Sequence, residues 1–257
     1  MQRHHRNWLI ALLGIVLWPV VGSTATKPPE ADSIVLTASD SVKVAGFWFD
    51  CYEDGAPAVL LLHDHGRDHF AWGSLWPPLQ RFGFHVLALD LRGHGASREL
   101  APEKYEMVVR RDATVFREMV LDAQAGIRYL EREKKIRPER IVVIGGELGC
   151  GVGLALMAAE PRLRGMVALG PGKFEYGFQT LDLVPKYGQR PMLIFSSKEA
   201  LDRGPQALAD ALKSQKAPVK LEVFVGSPWR GTAMLNQPIM AEKTIIQWLQ
   251  ELFPSGR

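Results

Sequence analysis

Short apolar runs alternate along the chain with longer segments in which apolar residues recur every three or four positions. The short runs predict buried strands at residues 58–62, 84–89, 141–144, 165–169, 192–195 and 221–225. Helical spacing predicts helices over residues 110–133, 205–213 and 244–253. This rhythm predicts an α/β fold in which a mostly parallel sheet carries helices on both faces.

Before the first buried run, apolar and polar residues alternate along the chain. Residues 33–38 and 42–50 predict two antiparallel strands joined by a turn at residues 39–41. Residues 26–32, which include two consecutive prolines, predict a linker, and residues 33–257 predict one domain of ordinary size. Only about twenty residues separate the run at 165–169 from that at 192–195, so any lid is minimal.

The N-terminal segment has the composition of a secretory signal. Its start is made basic by Arg3, His4, His5 and Arg6. An apolar run over residues 8–21 follows, and Ser-Thr-Ala at 23–25 supplies the small residues of a cleavage site. Residues 1–25 therefore predict export to the periplasm or the extracellular space. An uncleaved membrane tether is the alternative, although the run is shorter than the ~20 residues that span a bilayer.

Charge and cysteine usage narrow the range of partners. Removing Arg3 and Arg6 from the 31 basic residues leaves 29 basic against 28 acidic residues, so the mature chain is nearly neutral. Nucleic-acid binding, which needs a surplus of Lys and Arg, is therefore not expected, and neither is a stable membrane span after cleavage. The expected partner is an unidentified small molecule or protein. Cys51 and Cys150 are interpreted as two thiols rather than a disulfide.

A glycine-rich turn follows the apolar run at 141–144. Residues 145–149 read Gly-Gly-Glu-Leu-Gly. This is the frame of the G-x-S-x-G nucleophile elbow, in which a sharp turn from strand to helix exposes the middle side chain. Glu147 stands where the serine would be.

Further motifs accompany this frame. They are the strand ending in histidine at 57–63, Trp72, and the strand and glycine-rich turn at 84–97. Together they resemble the α/β-hydrolase superfamily, in particular serine esterases and proteins similar to dienelactone hydrolase. The turn at 90–97, Asp-Leu-Arg-Gly-His-Gly-Ala-Ser, is the most specific part. The resemblance implies the α/β-hydrolase fold and a Ser-His-acid triad.

The triad positions that the resemblance implies are all altered. Glu147 occupies the nucleophile position. The acid is expected within residues 196–202, where Glu199 is one candidate, although the most natural alignment places Ala200 there. Arg230 occupies the histidine position, and no histidine follows His94 in the chain, so no shift of alignment restores one.

The resemblance also places the oxyanion-hole region at His63, Asp64 and the N–H group of Leu148. We expect Glu147 and Arg230 to face each other where serine and histidine would meet, with the carboxylate reaching the Leu148 N–H group. If that pair is buried, truncating either member lowers stability by a few kcal/mol. The alternative is that Arg230 points to solvent and Glu147 pairs elsewhere.

A metal site is a rival interpretation of the loop at residues 63–69. His63, His65, Asp68 and His69 are similar to the zinc-binding pattern of metallo-β-lactamase-like hydrolases, with a spacing longer by one residue. The simpler interpretation is a buried strand-end His63 with the other histidines in a loop. We expect no cofactor.

The altered triad predicts a catalytically inactive pseudoenzyme that retains a ligand- or partner-binding role. The alternative function is hydrolysis of small esters or related substrates through Glu147, or through a metal at His63, His65 and His69. A pure binding or scaffolding module is the third possibility.

Overall fold

A computed structural model describes residues 31–226 and 229–254, and its centre is an eight-stranded sheet. The strands in chain order are β1 (Asp32–Thr37), β2 (Lys43–Phe49), β3 (Ala58–Leu62), β4 (His85–Asp90), β5 (Ile141–Gly146), β6 (Gly165–Leu169), β7 (Phe174–Glu175), β8 (Phe178–Gln179), β9 (Met192–Ser197) and β10 (Val219–Phe224). The α-helices are α1 (Trp76–Arg81), α2 (Ser97–Leu100), α3 (Pro102–Val109), α4 (Ala113–Arg132), α5 (Leu148–Ala159), α6 (Thr180–Tyr187), α7 (Pro205–Ser214) and α8 (Ala241–Leu252). Short 3-10 helices cover His69–Trp72, Pro138–Arg140, Lys198–Arg203 and Gly231–Met234.

The sheet runs in the order β1-β2-β4-β3-β5-β6-β9-β10. β2 is antiparallel to both β1 and β4, and every other pairing in this sheet is parallel. The predicted mostly parallel sheet and its antiparallel first pair are therefore confirmed. Because the parallel strands end at one edge, the loops that follow β3, β5, β9 and β10 all emerge there.

Alternate side chains of the central strands enter two separate cores. Leu60 and Val143 belong to the core that α4, α5, α6 and α7 cover. Val59 and Val142 belong to the core that α1 and α8 cover. The predicted helices on both faces are thus present, and the buried strands carry apolar residues on both sides, as parallel strands between two helical layers do.

The segment between β6 and β9 forms a small lid over the edge of the sheet. It consists of the β7–β8 hairpin and α6, and α6 packs against α5. This is the minimal lid that the sequence predicts.

The predicted signal at residues 1–25 lies outside the described residues. β1 begins at Asp32, one residue before the predicted start of the domain, because Asp32 already pairs with Trp48 of β2. Within residues 31–226 and 229–254, no helix has the length and apolar character that crossing a bilayer requires. Cys51 carries a free thiol, so it does not bridge to Cys150.

Candidate active site

Glu147 lies at the tip of a sharp turn between β5 and α5. Its backbone has φ 38° and ψ −101°, a strained conformation for a residue with a side chain. The turn presses α5 against β3 so closely that a Cβ atom at Gly149 would lie 1.9 Å from the carbonyl oxygen of Leu62. The glycine frame of a nucleophile elbow is therefore needed here for close packing, and a carboxylate occupies its tip.

Arg230 contacts this carboxylate from the loop after β10. Its Nε atom lies 3.3 Å from Oε1 of Glu147, so the two side chains meet as the resemblance implied. The side chains are 35% and 24% exposed, respectively. The condition attached to a cost of a few kcal/mol, a buried pair, is therefore not met, and an ion pair in contact with water contributes about 0.2–1 kcal/mol.

The carboxylate does not bind the N–H groups at the start of α5 as expected. Glu147 makes no side-chain capping hydrogen bond to the first turn of α5, which starts at Leu148. The expectation that it reaches the Leu148 N–H group is wrong. Arg230 instead draws the side chain towards the loop after β10.

Asp64, in the loop after β3, binds the loop after β10, and these two loops flank the elbow. The backbone N–H group of Thr232 donates to Oδ1 at 3.1 Å and to Oδ2 at 3.0 Å, and the Thr232 hydroxyl also donates to Oδ2. A Cβ atom at Gly231, where φ is +55°, would lie 1.8 Å from Asp64 Oδ1. Asp64 thus fixes the backbone that immediately follows Arg230, and Gly231 makes the close approach possible.

The environment of Asp64 changes its acidity. The pKa of this carboxyl is raised from 3.8 to about 6, mainly by burial and also by the nearby charge of Glu147, which together outweigh the hydrogen bonds from Thr232 that lower it. Asp64 and Glu147 therefore form two neighbouring carboxyl groups, one of which holds a proton to higher pH than usual.

Three imidazoles lie behind the elbow. His63 is fully buried, its Nδ1 lies 2.7 Å from the carbonyl oxygen of Asp64, and its Nε2 accepts the N–H group of Leu91 at 3.0 Å. The ring of His94 lies 5.0 Å from that of His63 and 5.6 Å from that of His65. Burial and the neighbouring His63 lower the pKa of His94 to about 3, so this ring is neutral at physiological pH.

Two of these rings carry buried nitrogen atoms without partners. His94 is 1% exposed, and its Nδ1 lies 3.1 Å from the carbonyl oxygen of Arg92, so Nδ1 is the donor and Nε2 is left as an acceptor. Neither this Nε2 nor that of His65 has a hydrogen-bond partner within the described part of the chain. A buried polar atom in this state costs about 1–3 kcal/mol and is a natural contact for a ligand.

The lid formed by the β7–β8 hairpin and α6 covers the outer side of the histidines behind the elbow. Tyr176, which connects β7 to β8, stacks on His65 with ring centroids 4.7 Å apart and planes 11° apart. Phe116 of α4 lies 5.0 Å from the Tyr176 ring. Burial, together with the cation of Arg111, lowers the pKa of His65. The site thus combines neutral imidazoles and aromatic rings with the charged pair at the elbow.

The loop at residues 63–69 does not assemble the zinc ligands of the rival interpretation. Both ring nitrogens of His63 are already engaged, and His69 Nδ1 lies 3.0 Å from Asp90 Oδ1. The carboxylate of Asp68 accepts the N–H group of Phe70 and caps the following 3-10 helix. Among the described residues, the metal-type group of three or more side chains is found elsewhere, so His63, His65, Asp68 and His69 lack the expected arrangement.

Glu199 and Ala200, the two residues considered for the acid position, differ in exposure. Glu199 lies in the 3-10 helix Lys198–Arg203 and is exposed, whereas Ala200 is buried.

Two features of the site were missed by sequence reasoning. Asp64 was expected only through its backbone, yet its carboxylate binds Thr232, 168 positions away. The sequence gives no signal for Tyr176, because a single tyrosine in a short connection belongs to no motif. The small number of residues between β6 and β9 was the one signal that this connection covers the site.

Comparison with known proteins identifies the family. The protein-family model described as "Alpha/beta hydrolase family" matches residues 59–252, which is most of the chain. The chain belongs to the alpha/beta hydrolase family. Its sequence is 26% identical over 144 residues to an uncharacterised protein of Mycobacterium tuberculosis, covering 56% of this chain and 46% of that protein. It is 43% identical over 56 residues to epoxide hydrolase A of the same species, covering 21% of this chain and 17% of that protein. The chain thus spans about half, or less, of the length of these curated relatives.

Solved structures of this family share the fold. An esterase of Pyrococcus furiosus superposes with a TM-score of 0.68 at 19% identity, covering 86% of this chain and 92% of that chain. An acylaminoacyl peptidase of Pyrococcus horikoshii gives a TM-score of 0.70 at 15% identity, covering 88% and 42%. A carboxyl esterase of Bacillus coagulans gives 0.69 at 12% identity, covering 87% and 99%. These similarities establish the α/β-hydrolase fold.

Proposed function

We propose that this chain is an exported α/β-hydrolase-fold pseudoenzyme whose former active site binds a small molecule. The observation that carries the proposal is the ion pair at the elbow. Glu147 takes the nucleophile position, and Arg230 takes the position of the base and lies 3.3 Å from it.

The chemistry of this pair argues against ester hydrolysis. Serine-type acyl transfer needs a base that takes up the proton of the nucleophile and later activates water. An arginine remains protonated at every relevant pH and offers no acceptor. If the Glu147 carboxylate attacked an ester, Arg230 would therefore be unable to activate the water that must release the product.

A binding role is supported by the histidines behind the elbow. The buried Nε2 atom of His94 is an acceptor, and His65 presents a second buried nitrogen under the ring of Tyr176. A ligand with hydroxyl or N–H donors and an aromatic or apolar body matches this combination. Such a ligand would remove the cost of the unpaired atoms, about 1–3 kcal/mol each.

One observation favours a second candidate, hydrolysis through a pair of carboxyl groups. The pKa of Asp64 is raised to about 6, beside the carboxylate of Glu147. Two neighbouring carboxyl groups with different proton affinities are the usual elements of general acid–base catalysis. In this candidate, Asp64 takes the part that Arg230 is unable to take.

Hydrolysis of short-chain nitrophenyl esters separates the two candidates. We expect no turnover by the wild-type protein or by Glu147→Ala. The variant Glu147→Ser/Ala200→Asp/Arg230→His rebuilds all three triad positions, and we expect it to gain activity. Its matched control is Ala200→Asp/Arg230→His, which keeps the glutamate and should stay inactive.

Wild-type turnover that disappears in both Glu147→Ala and Asp64→Asn would overturn the pseudoenzyme proposal and establish the carboxyl pair. Binding is tested by thermal denaturation in the presence of aromatic alcohols and amides, with His94→Phe as the variant that lacks the acceptor. Stabilisation of the wild type alone is expected. Equal stabilisation of His94→Phe would count against binding at His94.

Export is tested through the N-terminus. We expect the protein recovered from the periplasm or the medium to begin near residue 26. Recovery of the intact chain in a membrane fraction would favour the tethered alternative.

A further inference from the structure

A second group of reactive side chains lies at the opposite end of the sheet from Glu147. Asp50 and Cys51 directly follow β2, and His85 is the first residue of β4. Because β2 and β4 are antiparallel, the end of β2 lies beside the beginning of β4. Glu147 follows the carboxyl end of β5, so the two sites are separated by the length of the strands.

The three ligand atoms converge on one point. His85 Nδ1 lies 3.2 Å from Asp50 Oδ1 and 3.5 Å from Cys51 Sγ, and all three atoms lie within 4.8 Å of one another. With the usual zinc bond lengths, a tetrahedral site separates nitrogen from oxygen by about 3.3 Å and sulfur from nitrogen by about 3.5 Å. The two measured distances match these values. No other set of three His, Cys, Asp or Glu side chains in the described ranges meets the same limit.

The orientation of the imidazole is fixed by its neighbours. Its ring stacks on Trp48 with centroids 5.0 Å apart, which fixes its orientation. The N–H group of Cys51 donates to His85 Nδ1 at 3.2 Å, so Nδ1 is an acceptor there, and a metal bound at this nitrogen has to replace that hydrogen bond. The carboxylate of Asp50 also faces this nitrogen, which places two acceptors side by side. A cation between them removes that conflict.

We infer that Asp50, Cys51 and His85 bind a divalent transition metal of the zinc class. A thiolate and an imidazole select zinc, cobalt or similar ions over calcium and magnesium, which prefer oxygen ligands. Three protein ligands leave a fourth position for water. Asp50 and His85 line a surface cavity of about 740 Å³, through which the ion and this water have access. On binding, the Cys51 thiol proton is released to solvent.

Cobalt(II) substitution tests this site directly, because a cobalt–thiolate bond produces a charge-transfer band in the near ultraviolet. We expect the reduced, purified protein to take up about one Co(II) per chain with this band, and Zn(II) to displace the cobalt and abolish the band. The band should be lost in Cys51→Ser and in His85→Gln. Asp50 is 39% exposed, so Asp50→Asn is the variant that folds most safely, and it should weaken Zn(II) binding in a competition with a chromophoric chelator.

Asp54→Asn is the matched control, because Asp54 lines the same cavity without belonging to the group. It should bind Co(II) like the wild type. Absence of the band in the reduced wild type, or a band that persists in Cys51→Ser, would overturn the inference. Because none of these residues takes part in the elbow, either result leaves the proposed function untouched.

Discussion

The raised pKa of Asp64 predicts how the free energy of unfolding depends on pH. The native state raises the pKa of this carboxyl from 3.8 to about 6, mainly through burial. A raised pKa means that the native chain holds the proton more tightly than the unfolded chain, so protonation stabilises the fold. This contribution is fully present below about pH 4 and is lost as the pH rises through about 6. At 1.36 kcal/mol per unit, the shift corresponds to about 3 kcal/mol.

The variant Asp64→Asn removes the titration and keeps an oxygen that accepts the Thr232 N–H group. Other carboxyl groups titrate in the same range, so the informative quantity is the difference between variant and wild type. We expect the free energy of unfolding of the wild type, relative to that of Asp64→Asn, to fall by about 2–3 kcal/mol between pH 4 and pH 7.

Urea unfolding at several pH values measures this difference, since the midpoint and slope give the free energy at each pH. Asp210→Asn, which removes an exposed carboxylate on α7, should leave the pH profile unchanged. Parallel profiles for wild type and Asp64→Asn would refute the reasoning, because they would show that Asp64 keeps the same pKa in the native and unfolded states.

Three further changes have predictable costs, each measured by urea unfolding. Glu147→Ala and Arg230→Ala should show a coupling energy of about 0.2–1 kcal/mol in a double-mutant cycle, and a coupling of several kcal/mol would show that the pair is buried in solution. Gly231→Ala should lower stability by more than about 2 kcal/mol, because its Cβ would lie 1.8 Å from a carboxylate oxygen. Gly188→Ala is its control, with a similar positive φ and no atom within 4 Å, and equal losses in the two variants would exclude the close contact as the cause. Arg92→Met should lower stability by about 3–5 kcal/mol, since the fully buried Arg92 guanidinium contacts a buried carboxylate at 2.7 Å; a loss below about 1 kcal/mol would contradict this.

Most of the sheet could be predicted because a parallel strand between two helical layers is apolar on both faces. Such strands appear as continuous apolar runs, and the runs at 58–62 and 165–169 coincide with β3 and β6. α5 left no periodic signal, because it is buried on nearly every side and apolar residues occupy most of its positions. The elbow was predictable for a different reason, since its glycines are required by close packing, for example that of Gly149 against Leu62.

The contacts within the candidate site could be predicted only in part. The resemblance implied that Glu147 faces Arg230, but the exposure of that pair depends on how the surrounding loops fold. The bond from Thr232 to Asp64 joins residues 168 positions apart, and no local pattern encodes it. The group of Asp50 and its neighbours likewise depends on the register between β2 and β4.

The energetics of the elbow suggest what the ion pair does. The backbone strain at Glu147 costs about 1–3 kcal/mol, whereas a pair as exposed as that with Arg230 contributes about 0.2–1 kcal/mol. The pair is therefore too weak to hold the turn, which is imposed by the close packing of α5 on β3. It is strong enough to orient two flexible side chains beside the elbow. Under the proposed binding role, a ligand that carries its own carboxylate or guanidinium would exchange with one member of such a pair at small cost, so the ion pair would contribute more to ligand selection than to the stability of the fold.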